Sequence, residues 1–287
     1  MAYLVYTVRM RRLLITADDL GVNAQRSHGI FQCMEFGIVT GSGLVPNGAD
    51  ADAAARHARE RKVTAGLHIN LTDEYPLTAQ DDVATLLEMN GMFMGKDRFL
   101  KALKAGDIRM EHLEREIRAQ VEWCFDSYGS PSHISSHHHV HIQPQIAEII
   151  MPLMERYGIR FVRTPHEEPL PPFGFDIPAE QLQAAVVLGR EAVPAKEMYE
   201  ANGFQSTDHF RGLSLLGNAS LKNLRHILGK LPEGTTELMV HPGSNVTYGT
   251  PFDLDPQRQT EFRMLMDDSI PALLGEKKIE LCGWGDL

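Results

Sequence analysis

Residues 13–21 read Leu-Leu-Ile-Thr-Ala-Asp-Asp-Leu-Gly, an apolar run that closes on two adjacent carboxylates and a glycine. A short apolar segment bounded by polar residues and a turn former reads as a buried strand. The same pattern recurs at 38–45, 63–71, 133–137, 160–164, 237–241 and 278–282. Between the strands, 24–36, 49–61, 110–128 and 145–157 carry apolar residues at helical spacing. Asn23 can cap the first of these helices and Gly37 can end it. Pro144 suits the first turn of the fourth, Gly158 its end, and Pro152 is expected to kink it. Strand–helix alternation means an α/β protein with parallel strands joined by helical crossovers. Several strands end in residues able to do chemistry: Asp18 and Asp19, His68, His137 and His241. Both a barrel and an open doubly wound sheet place a site at strand ends. No glycine-rich dinucleotide or phosphate loop follows any strand, which favours a barrel of irregular form.

The rest of the chain sets bounds. With 43% hydrophobic and 23% charged residues among 287, it has the make-up of an ordinary globular protein. The net charge of −10 argues against nucleic acid or an anionic membrane as the main partner. Cys33, Cys124 and Cys282 form neither a disulfide framework nor a metal-knuckle spacing, and read as buried thiols of a cytoplasmic protein. No apolar run approaches the roughly 20 residues of a membrane span. Residues 1–12 put their arginines after the apolar stretch, unlike a signal peptide, and read as an appended arm. With no repeat and no low-complexity linker, 13–287 is expected to form a single domain. The segments 73–104, 167–176 and 243–255 are poorly patterned and read as loops over the strand ends. Nothing in the composition decides between a monomer and a homo-oligomer.

Five of the thirteen histidines fall in the run His133-Ile-Ser-Ser-His-His-His-Val-His141. Neutral imidazole is a common metal ligand, and aspartate supplies a hard oxygen. In an extended chain His133, His137, His139 and His141 would share one face and His138 the other. A basic patch or a surface metal-scavenging tract are the alternatives to an internal site. The Asp18–Asp19 pair fits one metal ligand beside one general base, or the N-cap of the following helix. They converge only if the backbone turns, for which Gly21 supplies freedom. His68 is a ligand or a satisfied core histidine, and Asn70 shares its strand face. Arg163 holds Asp18 ionised or pairs with a structural carboxylate. His241 is a general acid or a structural strand-end histidine.

Three of these motifs together, Thr-Ala-Asp-Asp-Leu-Gly at 16–21, Gly-Leu-His-Ile-Asn-Leu-Thr at 66–72 and Ser-His-His-His-Val-His at 136–141, resemble the YdjC-like carbohydrate deacetylases. That family includes chito-oligosaccharide and hopanoid-biosynthesis deacetylases. Val-Arg-Thr-Pro at 162–165 and Glu-Leu-Met-Val-His-Pro-Gly at 237–243 match in order. The resemblance implies a distorted (β/α) barrel of the glycoside hydrolase/deacetylase type. It also implies one divalent metal, magnesium or zinc, on Asp19, His68 and His137. Asp18 would be the base and His241 the acid in hydrolysis of an N-acetylated amino sugar or oligosaccharide. His139 and His141 are expected at the substrate with Asn70, and Arg163 beside Asp18. The position before Ser136 is often Asp in the family and is Ser135 here, which removes a carboxylate partner for a neighbouring histidine. Two rival functions are a metal hydrolase of phosphoesters or cyclic amides on a related barrel, and a non-catalytic carbohydrate-binding protein.

Overall fold

The computed structural model describes residues 10–168 and 178–287. Most of the expected arm and of the 167–176 loop therefore lies outside the described residues. The strands are β1 (Arg11–Leu20), β2 (Gly41–Leu44), β3 (Ala65–Ile69), β4 (Ile134–Ser136), β5 (His209–Arg211), β6 (Gly234–Val240) and β7 (Ile279–Leu281). Arg11 and Arg12, read as part of the arm, already belong to β1. Among the described residues these strands pair in parallel, in the order β4-β3-β2-β1-β6-β5. β1 is central: β6 follows it from Arg11 to Ala17, while β7 pairs with its first residues and β2 with its last.

The sheet curls toward closure. Beyond β4, Val162 bridges Ile134, and Phe161 in turn bridges Gln205. Gln205 stands just ahead of β5, which borders the other end of the sheet. The result is a distorted (β/α) barrel. The strand expected over 160–164 shrinks to these bridges, because Pro165 has no N–H to continue a ladder.

Alternation along β1 sorts its residues. Leu13, Ile15 and Ala17 pack outward into the core beneath the helices. Leu14 turns inward onto Trp284, Thr16 accepts a hydrogen bond from its indole, and Asp18 meets Arg163. The barrel interior is thus small and polar at the site and aromatic below it.

The helices are α1 (Ala24–Phe36), α2 (Ala51–Arg61), α3 (Lys96–Ala105), α4 (Met110–Ser127), α5 (Pro144–Tyr157), α6 (Ala179–Ala201), α7 (Leu221–Gly229), α8 (Pro251–Leu254), α9 (Gln257–Leu265) and α10 (Ser269–Lys277). Asn23 caps α1 by accepting from the Arg26 amide at 2.9 Å. Gly158 ends α5 in the left-handed conformation, and α5 runs on through Pro152. α3 lies inside a segment expected to be loop. α6 buries Ala185, Gly189, Ala192 and Ala195, a face of small residues that gives little apolar periodicity, so the sequence pattern does not reveal it. All three thiols are buried. Among the described residues no helix is long and apolar enough to cross a membrane.

Candidate active site

The strand ends converge because β1 breaks its own ladder. Its register against β2 shifts between Ala17 and Leu20, and Asp19 adopts φ 68°. That left-handed residue, rather than Gly21 alone, turns two successive carboxylates into one space. Left-handed backbone at a non-glycine residue costs roughly 1–3 kcal/mol and persists where the surroundings impose it.

The two carboxylates have different partners. Asp18 is gripped by Arg163, whose Nη1 and Nη2 donate to Oδ2 and Oδ1 at 2.5 and 2.8 Å. The same buried guanidinium donates from Nε and Nη2 to Glu237 Oε1 at 2.9 and 2.7 Å. Arg163 thus pairs with Asp18 and with a second buried carboxylate, Glu237, at once. Asp19 instead lies 3.1 Å from His137 Nδ1 and 3.7 Å from His68 Nε2, with Arg26 at 3.3 Å on its other oxygen. His68 Nε2 is also 3.9 Å from Asp18, and His241 Nε2 is 4.0 Å from it.

Each histidine near Asp19 is oriented from behind. His68 Nδ1 meets Ser135 Oγ at 2.8 Å, so the serine found where an Asp is common still orients the ring. His137 Nε2 meets Asp73 Oδ2 at 2.9 Å. One oxygen of Asp19 and one nitrogen each of His68 and His137 lie within 4.8 Å of one another. A carboxylate oxygen and two imidazole nitrogens, with the rings fixed by outer partners, fit a divalent cation.

Electrostatics differentiate the groups. Burial raises Asp18 above its ordinary range despite the opposing charge of Arg163. Burial works the same way on Asp19, but the charges of His137 and Arg26 hold it well below that range. Burial alone would lower His137, yet Asp19 and Asp73 push it up to about 10. His68 and His241 are lowered by burial and stand neutral.

The histidine run departs from the extended reading. It leaves β4 after Ser136 and turns, with His138 and His139 at φ 55° and 58°. Strand alternation therefore stops at His137. His138, expected to face away, lines the cavity and meets Thr72 Oγ1 at 2.9 Å. His139 lines it too, its ring edge-on to Phe210. His141, expected at the substrate, is fully buried between Ser136 Oγ at 2.7 Å and the Arg163 carbonyl at 2.9 Å. His133 stacks on Trp284 with centroids 4.2 Å apart. Asn70 lines the cavity but spends its amide on the Asp73 and Asn47 oxygens, at 2.8 and 3.2 Å.

Asp73, Glu237, Arg26 and Asp253 are parts of this network that sequence reasoning passed over. Asp73 had one local signal, its position three residues after Asn70 in an Asx turn. The cavity above the cluster holds about 800 Å³, in the range of a small-molecule site.

A curled parallel sheet with carboxylate and imidazole donors gathered where its strands end defines a (β/α)-barrel protein whose donor cluster at that edge could hold a metal ion. Residues 12–276 match the family described as YdjC-like protein, and the chain belongs to it. It is 33% identical over 295 residues to a carbohydrate deacetylase of Mus musculus, covering 96% of this chain and 94% of that protein. It is 31% identical over 149 residues to a chitooligosaccharide deacetylase of Serratia marcescens, covering 51% and 57%. Among solved structures, a protein of Enterococcus faecalis V583 provisionally named for cellobiose-phosphate cleavage superposes with TM-score 0.78. Identity there is 21%, over 96% of this chain and 98% of the other, a likeness of fold.

Proposed function

We propose that this protein is a metal-dependent carbohydrate deacetylase, with 13–287 as one catalytic domain, hydrolysing the N-acetyl group of an amino sugar or chito-oligosaccharide. The full-length relatives named as carbohydrate deacetylases support the reaction. The observation that carries it is the division between neighbouring carboxylates. Both oxygens of Asp18 are taken by Arg163, whereas Asp19 faces His137 and His68. Asp18 is thereby reserved for proton transfer, and Asp19 Oδ1, His68 Nε2 and His137 Nδ1 are left to hold a cation.

A magnesium or zinc ion held by those three residues would supply Lewis acidity to a water and to the amide carbonyl. Asp18 accepts the proton of the attacking water. Its burial makes it a stronger base than an exposed carboxylate, while Arg163 keeps it ionised and aimed. His241, neutral in its buried setting, takes up a proton and passes it to the departing nitrogen, so that acetate and an amine separate. His139 offers a ring nitrogen to the substrate from the cavity wall. Asn70 shapes the loop that brings Asp73 to His137.

The test is acetate release from N-acetylglucosamine and diacetylchitobiose by protein loaded with magnesium or zinc. Asp18→Asn should retain metal and slow turnover by roughly 10²–10⁴-fold. Near-wild-type turnover by that variant would remove Asp18 from the mechanism.

A further inference from the structure

The loop after β3 contains a glutamate that the mechanism does not use. Glu74 has φ 67°. Its neighbourhood imposes that conformation, since the carbonyls of three consecutive residues are fastened. Asn47 Nδ2 donates to Asp73 O at 3.3 Å and to Tyr75 O at 2.9 Å. Asn70 Nδ2 donates to Asp73 O at 2.8 Å, and the Phe93 amide to Glu74 O at 2.9 Å. Left-handed backbone at non-glycine residues clusters at functional sites as well as at helix ends, and Glu74 ends no helix.

Glu74 lines the cavity, and among the described residues its carboxylate has neither a hydrogen bond nor an ion pair. The other carboxylates of that wall have partners: Asp73 has His137, Asp253 has Arg26, and Glu88 has Arg98. Lys96 shares the cavity without reaching Glu74 in an ion pair. Half-burial and the nearby Asp73 and Asp253 oppose ionisation of Glu74. Glu74 is only partly buried, so its unpaired carboxylate is open to a ligand that enters the cavity.

We propose that Glu74 is a specificity-determining residue that accepts hydrogen bonds from hydroxyl groups of the amino-sugar substrate, holding the ring beside the His137–Asp73 pair. The proposal rests on the deacetylase reading.

Its test is acetate-release kinetics of wild type, Glu74→Ala and Glu74→Gln on N-acetylglucosamine and its 3-, 4- and 6-deoxy forms, with added magnesium or zinc. In wild type one deoxy sugar should raise KM by about tenfold with kcat within about twofold, the weight of a hydrogen bond to a charged group. In Glu74→Ala that penalty should vanish, with KM for the parent sugar already about tenfold higher. Glu74→Gln, which keeps the shape, should retain part of the penalty and covers the case in which the alanine variant fails to fold. Identical deoxy penalties in wild type and variants, or a loss confined to kcat, overturn the role of Glu74 alone. Absence of acetate from every sugar with wild type overturns the deacetylase reading and this role together.

Discussion

Arg163→Met tests the site where one buried side chain serves two carboxylates at once. The guanidinium is fully buried, donates to Asp18 at 2.5 and 2.8 Å, and donates to Glu237 Oε1 at 2.9 and 2.7 Å. Methionine fills a similar channel but offers no charge and no donor. Removing one partner of a buried ion pair costs about 3–5 kcal/mol, because the remaining charge keeps its desolvation penalty. At roughly 2–4 °C per kcal/mol for a chain approaching this size, Tm near pH 7 should fall by about 10 °C. Asp18 and Glu237 already stand above the usual carboxylate range through burial, opposed by the arginine. Without it both rise further. A carboxyl whose folded pKa lies above its unfolded value loses stability as pH rises between the two, so the deficit of the variant should shrink toward about pH 4 and widen above it. In catalysis, a protonated Asp18 accepts no proton, so kcat/KM at pH 7 should drop by roughly 10²-fold and the acidic limb of its pH profile should move upward. Thermal melts and acetate release across pH 4 to 8 measure both. An unchanged Tm together with an unchanged acidic limb would refute the reasoning.

Three further outcomes are expected. His137, pushed up to about 10 by Asp19 and Asp73, is protonated in the metal-free protein near neutrality, so metal binding should release about one proton at pH 7 and strengthen as pH rises; calorimetry in buffers of different ionisation enthalpy reads this, and zero release would contradict it. His141→Ala removes the ring partner of Ser136 Oγ, which keeps only the backbone amide of residue 141, and strips the buried Arg163 carbonyl of its side-chain donor, so it should destabilise by about 2–4 kcal/mol in denaturant melts while KM of the surviving folded enzyme stays within about twofold; a selective KM increase would restore His141 to the substrate. Gly43→Ala would place a Cβ 3.0 Å from His68 Nδ1 and 3.2 Å from Asp18 Oδ1, so metal affinity should weaken by about tenfold, as for loss of an outer partner; equal affinity by titration would show that His68 tolerates the displacement.

The strand ends were legible because burial in a parallel sheet leaves short apolar runs that close on polar residues. Leu13–Ala17 reads as apolar, and the polar residue after such a run must sit at the C-terminal edge. Asp18, Asp19, His68, His137 and His241 could accordingly be gathered from five positions without coordinates. Reading failed where local geometry left the strand. His138 and His141 exchanged their expected places because two successive left-handed residues end the alternation after His137. α6 escaped because it packs through alanine and glycine, whose burial gives weak periodicity.

By itself, then, the sequence determined the parallel (β/α) architecture and the stock of donors at its edge, since both follow from periodicity and residue type. Only the tertiary structure decided which partners each donor has. Asp18 and Asp19 are chemically identical neighbours, and what separates them is a positive φ at Asp19 and an arginine 145 residues away. Asp73 and Glu74 likewise acquire their places from Asn47, Asn70 and Phe93. The position of a charge relative to its partners is a long-range property of the folded chain, and periodicity and residue type along the chain do not record it.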